Sequence, residues 1–230
     1  MLVNKSILML GDSHAEAMFN GFQILRPDIK VFGGTVRRVA NSWENPFHTA
    51  RSPLQFLHED VHASFKRLVL PAGYDGTNIL DVDLPFVLSI SGLPSLVRIP
   101  IWGRFYTRET PDRYFISQQL FEAILGNYLT HVLDLYRCLA EAGKTVVCTI
   151  MPGLRINYIG RGDLFLQIKD FLIREVKAMG VLVADVTEET CDEHGVLDKK
   201  YWVDNPEDFS HGNDEWGQLV ASACCRELQM

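Results

Sequence analysis

The chain has 230 residues, 47% of them hydrophobic, which is enough for one substantial α/β core. Its net charge of -7 excludes a broadly basic nucleic-acid face, and no run reaches the roughly 18 apolar residues of a membrane span. The five cysteines (Cys138, Cys148, Cys191, Cys224, Cys225) follow neither a disulfide framework nor paired metal spacing, so reduced thiols are expected.

One domain over residues 1–230 is expected, and a cytoplasmic one, because the first strand begins within a few residues of Met1 and leaves no room for a cleavable leader. Ile7 to Leu10 suits a strand covered on both faces. Gly11 permits a tight reversal, and Asp12-Ser13-His14 leads into an apolar-periodic helix ending near Leu25. Ser13 falls where the first helical N–H groups are unpaired and the dipole favours negative charge, so an oxyanion forming beside it would meet donors already in place. Capping of the helix by Asp12 or Ser13 is the other use of the same residues.

A second strand, Ile29 to Phe32, runs into Gly33-Gly34, read either as a turn or as an amide that approaches a ligand. Residues 41–83 form an irregular insertion, expected to overhang the C-terminal sheet edge as part of a pocket wall. His58 and His62 stand at i, i+4 without a third ligand at recognisable spacing, so no metal is expected. Leu84 to Ser91 is a third strand, closed by Gly92. Val97 to Tyr114 carries Arg98, Trp102, Arg104, Phe105, Tyr106 and Arg108, placed where the strand ends of an open sheet face a ligand crevice. Trp102 and Arg104 there suit a sugar ring or an anionic group, a solvated loop being the alternative.

A helix from Phe115 to Glu141, a strand from Thr145 to Ile150, a helix from Leu164 to Met179 and a strand from Val181 to Val186 complete an alternation that specifies a parallel sheet. Asp192 to Asp198 reads as a turn or small hairpin, and a last helix spans Asp214 to Leu228. In the polar loop before that helix, Asp208 and His211 are three apart. In an irregular turn this spacing lays a carboxylate on one imidazole nitrogen and leaves the other for a hydroxyl.

Strand, Gly11-Asp12-Ser13-His14-Ala15 and helix at one end, with Asp208-x-x-His211 before a terminal helix at the other, together resemble the SGNH (GDSL-type) hydrolase superfamily. The likeness is closest to its Gly-Asp-Ser-His-Ala members, which include domains that move acetyl groups on and off bacterial glycans. It implies a three-layer α/β/α domain with a five-stranded parallel sheet of flavodoxin-like order 2-1-3-4-5. It also implies a serine-dependent esterase or acyltransferase for small acyl esters, such as O-acetyl groups on carbohydrate, needing no cofactor and no metal. The roles that transfer are Ser13 as nucleophile, His211 as base and Asp208 as its orienting group. The Ser13 amide and the Gly34 amide, with Gly33 as fallback, would be oxyanion donors. Asp12, His14, Gly92, Trp102 and Arg104 are the expected substrate contacts. The sequence departs from the pattern after the third strand, where Gly-x-Asn or Gly-Asn is called for and Ser91-Gly92-Leu93-Pro94 stands. Leucine cannot donate a hydrogen bond, so either another donor substitutes, with Asn41, Asn45 and Asn78 as candidates, or the chain is a catalytically weak or inactive carbohydrate-binding or interaction domain on the same fold.

Overall fold

In the computed structural model, residues 5–36, 45–49, 52–106, 114–155, 162–205 and 211–230 are described. The apolar run near the N-terminus becomes β1 (Ser6–Gly11), whose alternate side chains enter two separate cores. It is flanked by β2 (Lys30–Thr35) and β3 (Phe86–Ser89), and β4 (Val146–Thr149) and β5 (Leu182–Ala184) follow outward from β3. Every neighbouring pair is parallel, giving the order β2-β1-β3-β4-β5 that the resemblance implies. Parallel strands need long crossovers, and helices supply them on both faces.

The helices are α1 (Ala15–Leu25), α2 (Glu59–Val69), α3 (Leu93–Arg98), α4 (Gln118–Glu141), α5 (Gly162–Ala178), α6 (Thr187–Thr190) and α7 (Asp214–Leu228). On one face Leu8, Leu10, Phe86, Leu88, Val146 and Cys148 pack against α2, α4 and α5 through Phe65, Leu125, Leu129 and Phe165. On the other, Ile7, Met9, Val87, Val147 and Ala184 meet α1 and α7 through Met18, Phe22, Trp216 and Val220. Because strand side chains alternate in direction, the near-continuous apolar strand sequences feed both layers at once.

α1 and α7 cross with their backbones almost touching. A Cβ on Gly21 would lie 2.1 Å from the carbonyl carbon of Gly217, and one on Gly217 would lie 1.9 Å from the Ala17 oxygen. That crossing joins the first helix of the chain to the last.

Several sequence expectations shift. β2 continues through Gly33-Gly34 to Thr35, which sits beside Gly11, so the glycines lie inside a strand and not in a turn. Gly33 has φ +95° and a Cβ there would come 1.9 Å from the Met9 carbonyl oxygen, which only glycine tolerates. The long helix begins at Gln118 with the Ser117 side chain accepting from the Leu120 N–H, three residues later than its apolar period suggested. Tyr114–Phe115 instead pairs with Phe105–Tyr106 as a short parallel ladder. In the insertion, α2 and the buried Phe47, Phe56 and Phe65 extend the larger core. At 192–198 the bridge between Cys191 and Leu197 closes the small hairpin.

All five cysteines are free thiols. Burial pushes the Cys148 thiol up to about 12, against a weaker opposing hydrogen bond from Tyr136, and burial likewise raises Cys224. Since the thiolate is the reactive form, neither should react with a thiol-specific disulfide reagent at pH 8 until denaturant is added. Counting modified cysteines by mass before and after unfolding checks this, and rapid native labelling of Cys148 would contradict the packing of β4.

Candidate active site

Two loops at the C-terminal edge of the sheet meet beside β1. Ser13 follows β1 by two residues and precedes α1 by two, so the end of the central strand aims it and the helix N-terminus backs it. Gly11 is required at this turn, because a Cβ there would lie 1.8 Å from the Ser89 Oγ. The Asp12 carbonyl accepts from the Ala15 N–H and from the Thr35 hydroxyl, tying the turn to both the helix and β2. Among the described residues the Ser13 N–H makes no hydrogen bond, which leaves it available as a donor at the positive end of α1.

His211 arrives from the other end of the chain. Its neighbour Gly212 pairs with Trp202 in an antiparallel bridge and approaches the Trp216 ring so closely that a Cβ would lie 2.6 Å from it. Asn213 then caps α7, its Oδ1 accepting from the Trp216 N–H while its Nδ2 donates to the Lys200 carbonyl. Held from its C-terminal side, His211 places Nε2 2.6 Å from the Ser13 Oγ. That distance is at the short end of the range for a nucleophile and its base. Asp208, the expected orienting carboxylate, lies outside the described residues.

The other expected site residues separate into groups. Asp12 and His14 are 2% and 4% exposed and bond to each other, so neither is a direct substrate contact. Asp12 Oδ1 accepts from the His14 backbone N–H at 3.0 Å and from His14 Nδ1 at 2.8 Å, a side-chain clamp within the turn and not a helix cap, since the N-cap residue of α1 is His14 and it makes no side-chain capping bond. The His14 ring stacks on the His211 ring, with centroids 4.7 Å apart and planes 30° apart.

Trp102 is a correction. It is fully buried, packs on Phe121 and donates its indole N–H to the Leu96 carbonyl, because an aromatic this apolar gains more from the core than from an exposed crevice. Arg104 is exposed at the end of the turn carrying Trp102, its carbonyl accepting from the Tyr114 N–H. Gly92 is the left-handed entry to α3 (φ +65°), and a Cβ on it would meet Leu129 of the core. Gly34 lies opposite Leu10, three residues upstream of Ser13, within a ladder where Lys30 N–H meets the Lys5 carbonyl and Val36 N–H the Gly11 carbonyl.

A surface hollow of about 380 Å³ opens beside the serine–histidine pair, with Glu16, Asn20, Asn205 and Asp214 among its lining residues. Asn20 Nδ2 donates to Asp214 Oδ1, joining α1 and α7 along its lining. Glu16 and Asn20 stand three and seven residues after Ser13, the spacing of one helix face. This stripe is the signal by which the sequence could have revealed them.

Leu93, in place of the donor asparagine, is fully buried in the larger core, where it opens α3. A side chain at this position therefore points away from the hollow. Leu93→Asn should bury an unpaired amide, cost about 2–4 kcal/mol, and give no gain in acyl-ester turnover. Denaturant unfolding with an activity assay reads both, and a gain in turnover would show the side chain reaching the serine.

No protein-family model and no curated protein matches the chain. Solved structures do. A protein of the G-D-S-L lipolytic family from Desulfitobacterium hafniense aligns with TM-score 0.52 at 13% identity, over 97% of this chain and 99% of its own. A variant of Axe2, an acetyl-xylooligosaccharide esterase from Geobacillus stearothermophilus, gives 0.51 at 12% identity over 100% and 97%. The periplasmic domain of a lipopolysaccharide acetyltransferase from Salmonella ser. Paratyphi A gives 0.54 at 14% identity over 100% and 85%. The fold is thus that of the SGNH hydrolases, the class to which the sequence motifs pointed. No helix among the described residues is long and apolar enough to cross a membrane.

Proposed function

We propose that the protein is a serine-dependent esterase or acyltransferase for small acyl esters, with O-acetylated carbohydrate as substrate. The observation that carries this reading is the 2.6 Å contact between Ser13 Oγ and His211 Nε2 at the mouth of the hollow. Ser13 attacks the acyl carbonyl while His211 takes the hydroxyl proton. The tetrahedral oxyanion forms against the Ser13 N–H and the α1 terminus. Collapse expels the sugar hydroxyl, which receives the proton back from His211, and leaves an acyl-serine. Water, or a second sugar hydroxyl, then gives its proton to His211 as it attacks the acyl carbon, the bond to Ser13 breaks, and the Ser13 oxygen takes that proton back, completing hydrolysis or transfer. In this reading Asp208 orients His211. The amide and carboxylate groups of Asn20, Asn205, Glu16 and Asp214 suit the hydroxyls of a sugar better than a long acyl chain. Five free thiols suit a cytoplasmic setting.

The test is covalent trapping. A serine-directed organophosphonate should add one adduct to the folded protein, and peptide mass spectrometry should place it on Ser13. Folded protein that neither labels nor releases acetate from a chromogenic acetyl ester would defeat the reading.

A further inference from the structure

The serine–histidine pair has a third partner that the reaction as written does not use. His14 presents the flat of its ring to His211, and its edge is fixed from behind by Asp12. Asp12 accepts twice from the same residue, at the backbone N–H and at Nδ1, so His14 has little rotational freedom about its side chain. Because a carboxylate oxygen only accepts, Nδ1 carries the proton of this contact. Both residues are nearly inaccessible to water, so a soluble ligand does not reach them directly. Besides flanking Ser13 in the chain, they meet the chemistry through His211, on which the His14 ring stacks.

We propose that His14 is a positioning residue, a clamped imidazole wall against which the His211 ring is laid so that Nε2 addresses the Ser13 hydroxyl. The proposal rests on the serine-hydrolase reading and deepens it. The serine turn thereby supplies both the nucleophile and the support for its base, two adjacent residues acting on opposite sides of the reaction. A second consequence is electrostatic. When His211 takes the serine proton, the ring against its face belongs to a pair carrying the negative charge of Asp12, which favours the imidazolium as it forms. Among the described residues, Glu16 and Asp214 line the hollow beside His211, and the buried Tyr136 phenol interacts electrostatically with Asp12 from the other side.

Two sets of measurements test this. In steady-state kinetics, His14→Ala should lower kcat about 10- to 100-fold, as loss of an outer supporting group does, with KM changed less than about twofold and the acid limb of the kcat/KM pH profile displaced. His14→Phe keeps a ring in the same place and should recover most of kcat, whereas Asp12→Asn should fall between the two. Alongside, imidazole nitrogen–proton NMR spectra of ring-labelled protein report on His211 without any substrate. Its resonances should move in His14→Ala and return toward the native positions in His14→Phe. If the wild type releases no acyl group, the hydrolase reading fails, and the spectra alone decide whether His14 holds the His211 ring. If His14→Ala does not fold, His14→Phe and Asp12→Asn carry both readouts. Unchanged kinetics and unchanged His211 resonances in folded His14→Ala would overturn the proposal. So would a loss of activity in His14→Ala that His14→Phe fails to relieve.

Discussion

Ser13→Ala is expected to abolish serine-dependent acyl release, with kcat falling by at least about 10⁴-fold, while the protein stays folded. Removing the nucleophile from a serine–histidine pair leaves only the binding groups and the oxyanion donors, so nearly the whole rate advantage is lost at once. Stability should change by no more than about 1 kcal/mol, because the one side-chain hydrogen bond lost is that to His211. A thermal melt and an acetyl-ester assay on the same preparation separate the two effects. His211→Ala should be nearly as inactive, and combining it with Ser13→Ala should add little, since the two act as a unit. Turnover that survives Ser13→Ala at a tenth of the native rate would mean that another group performs the attack, and the proposed mechanism would fall.

What the sequence revealed depended on how local each signal was. The parallel sheet was legible because each of its strands is a short apolar run bounded by turn residues and separated by a helical period. Likewise Ser13 and His211 could be singled out because each stands just before an amphipathic helix, where a short polar stretch marks the helix entry. Gly33-Gly34 misled because a glycine pair that ends a strand reads the same as one that lets a strand pass close to a neighbouring carbonyl, and only the Met9 oxygen distinguishes them. Trp102 misled for a related reason. Its flanking arginines suggest a crevice, but the Leu96 carbonyl that satisfies its indole comes from the previous turn and gives no periodic signal. Leu93 was read as a missing donor on the assumption that position 93 faces the serine, an assumption that the left-handed Gly92 removes by turning the chain into the core. The stacking of His14 on His211 joins residues nearly two hundred positions apart, and no spacing rule reaches that far.

Gly217→Ala should be the most damaging small substitution outside the site, for it acts on the contact that brings the two ends of the chain together. The added methyl would lie 1.9 Å from the Ala17 oxygen and 2.6 Å from its carbonyl carbon, which are backbone atoms of a helix and cannot rotate aside. Either the helices separate or the crossing rotates, and overpacking of this kind costs about 1–3 kcal/mol or somewhat more. For a chain of this length that corresponds to a fall in Tm of roughly 3–10 °C. Activity should fall further than stability does. α1 begins two residues after Ser13 and α7 three residues after His211, so about 1 Å of separation between the helices is passed to the 2.6 Å contact and is enough to cost on the order of 100-fold in kcat. Gly126→Ala is the matched control. It lies inside α4, its methyl would meet nothing closer than the Phe171 ring at 3.8 Å, and alanine there should stabilise the helix by about 0.5–1 kcal/mol with activity unchanged. Equal melting temperatures and equal turnover for the Gly217 and Gly126 variants would show that the α1–α7 crossing does not set the distance between the serine and its base.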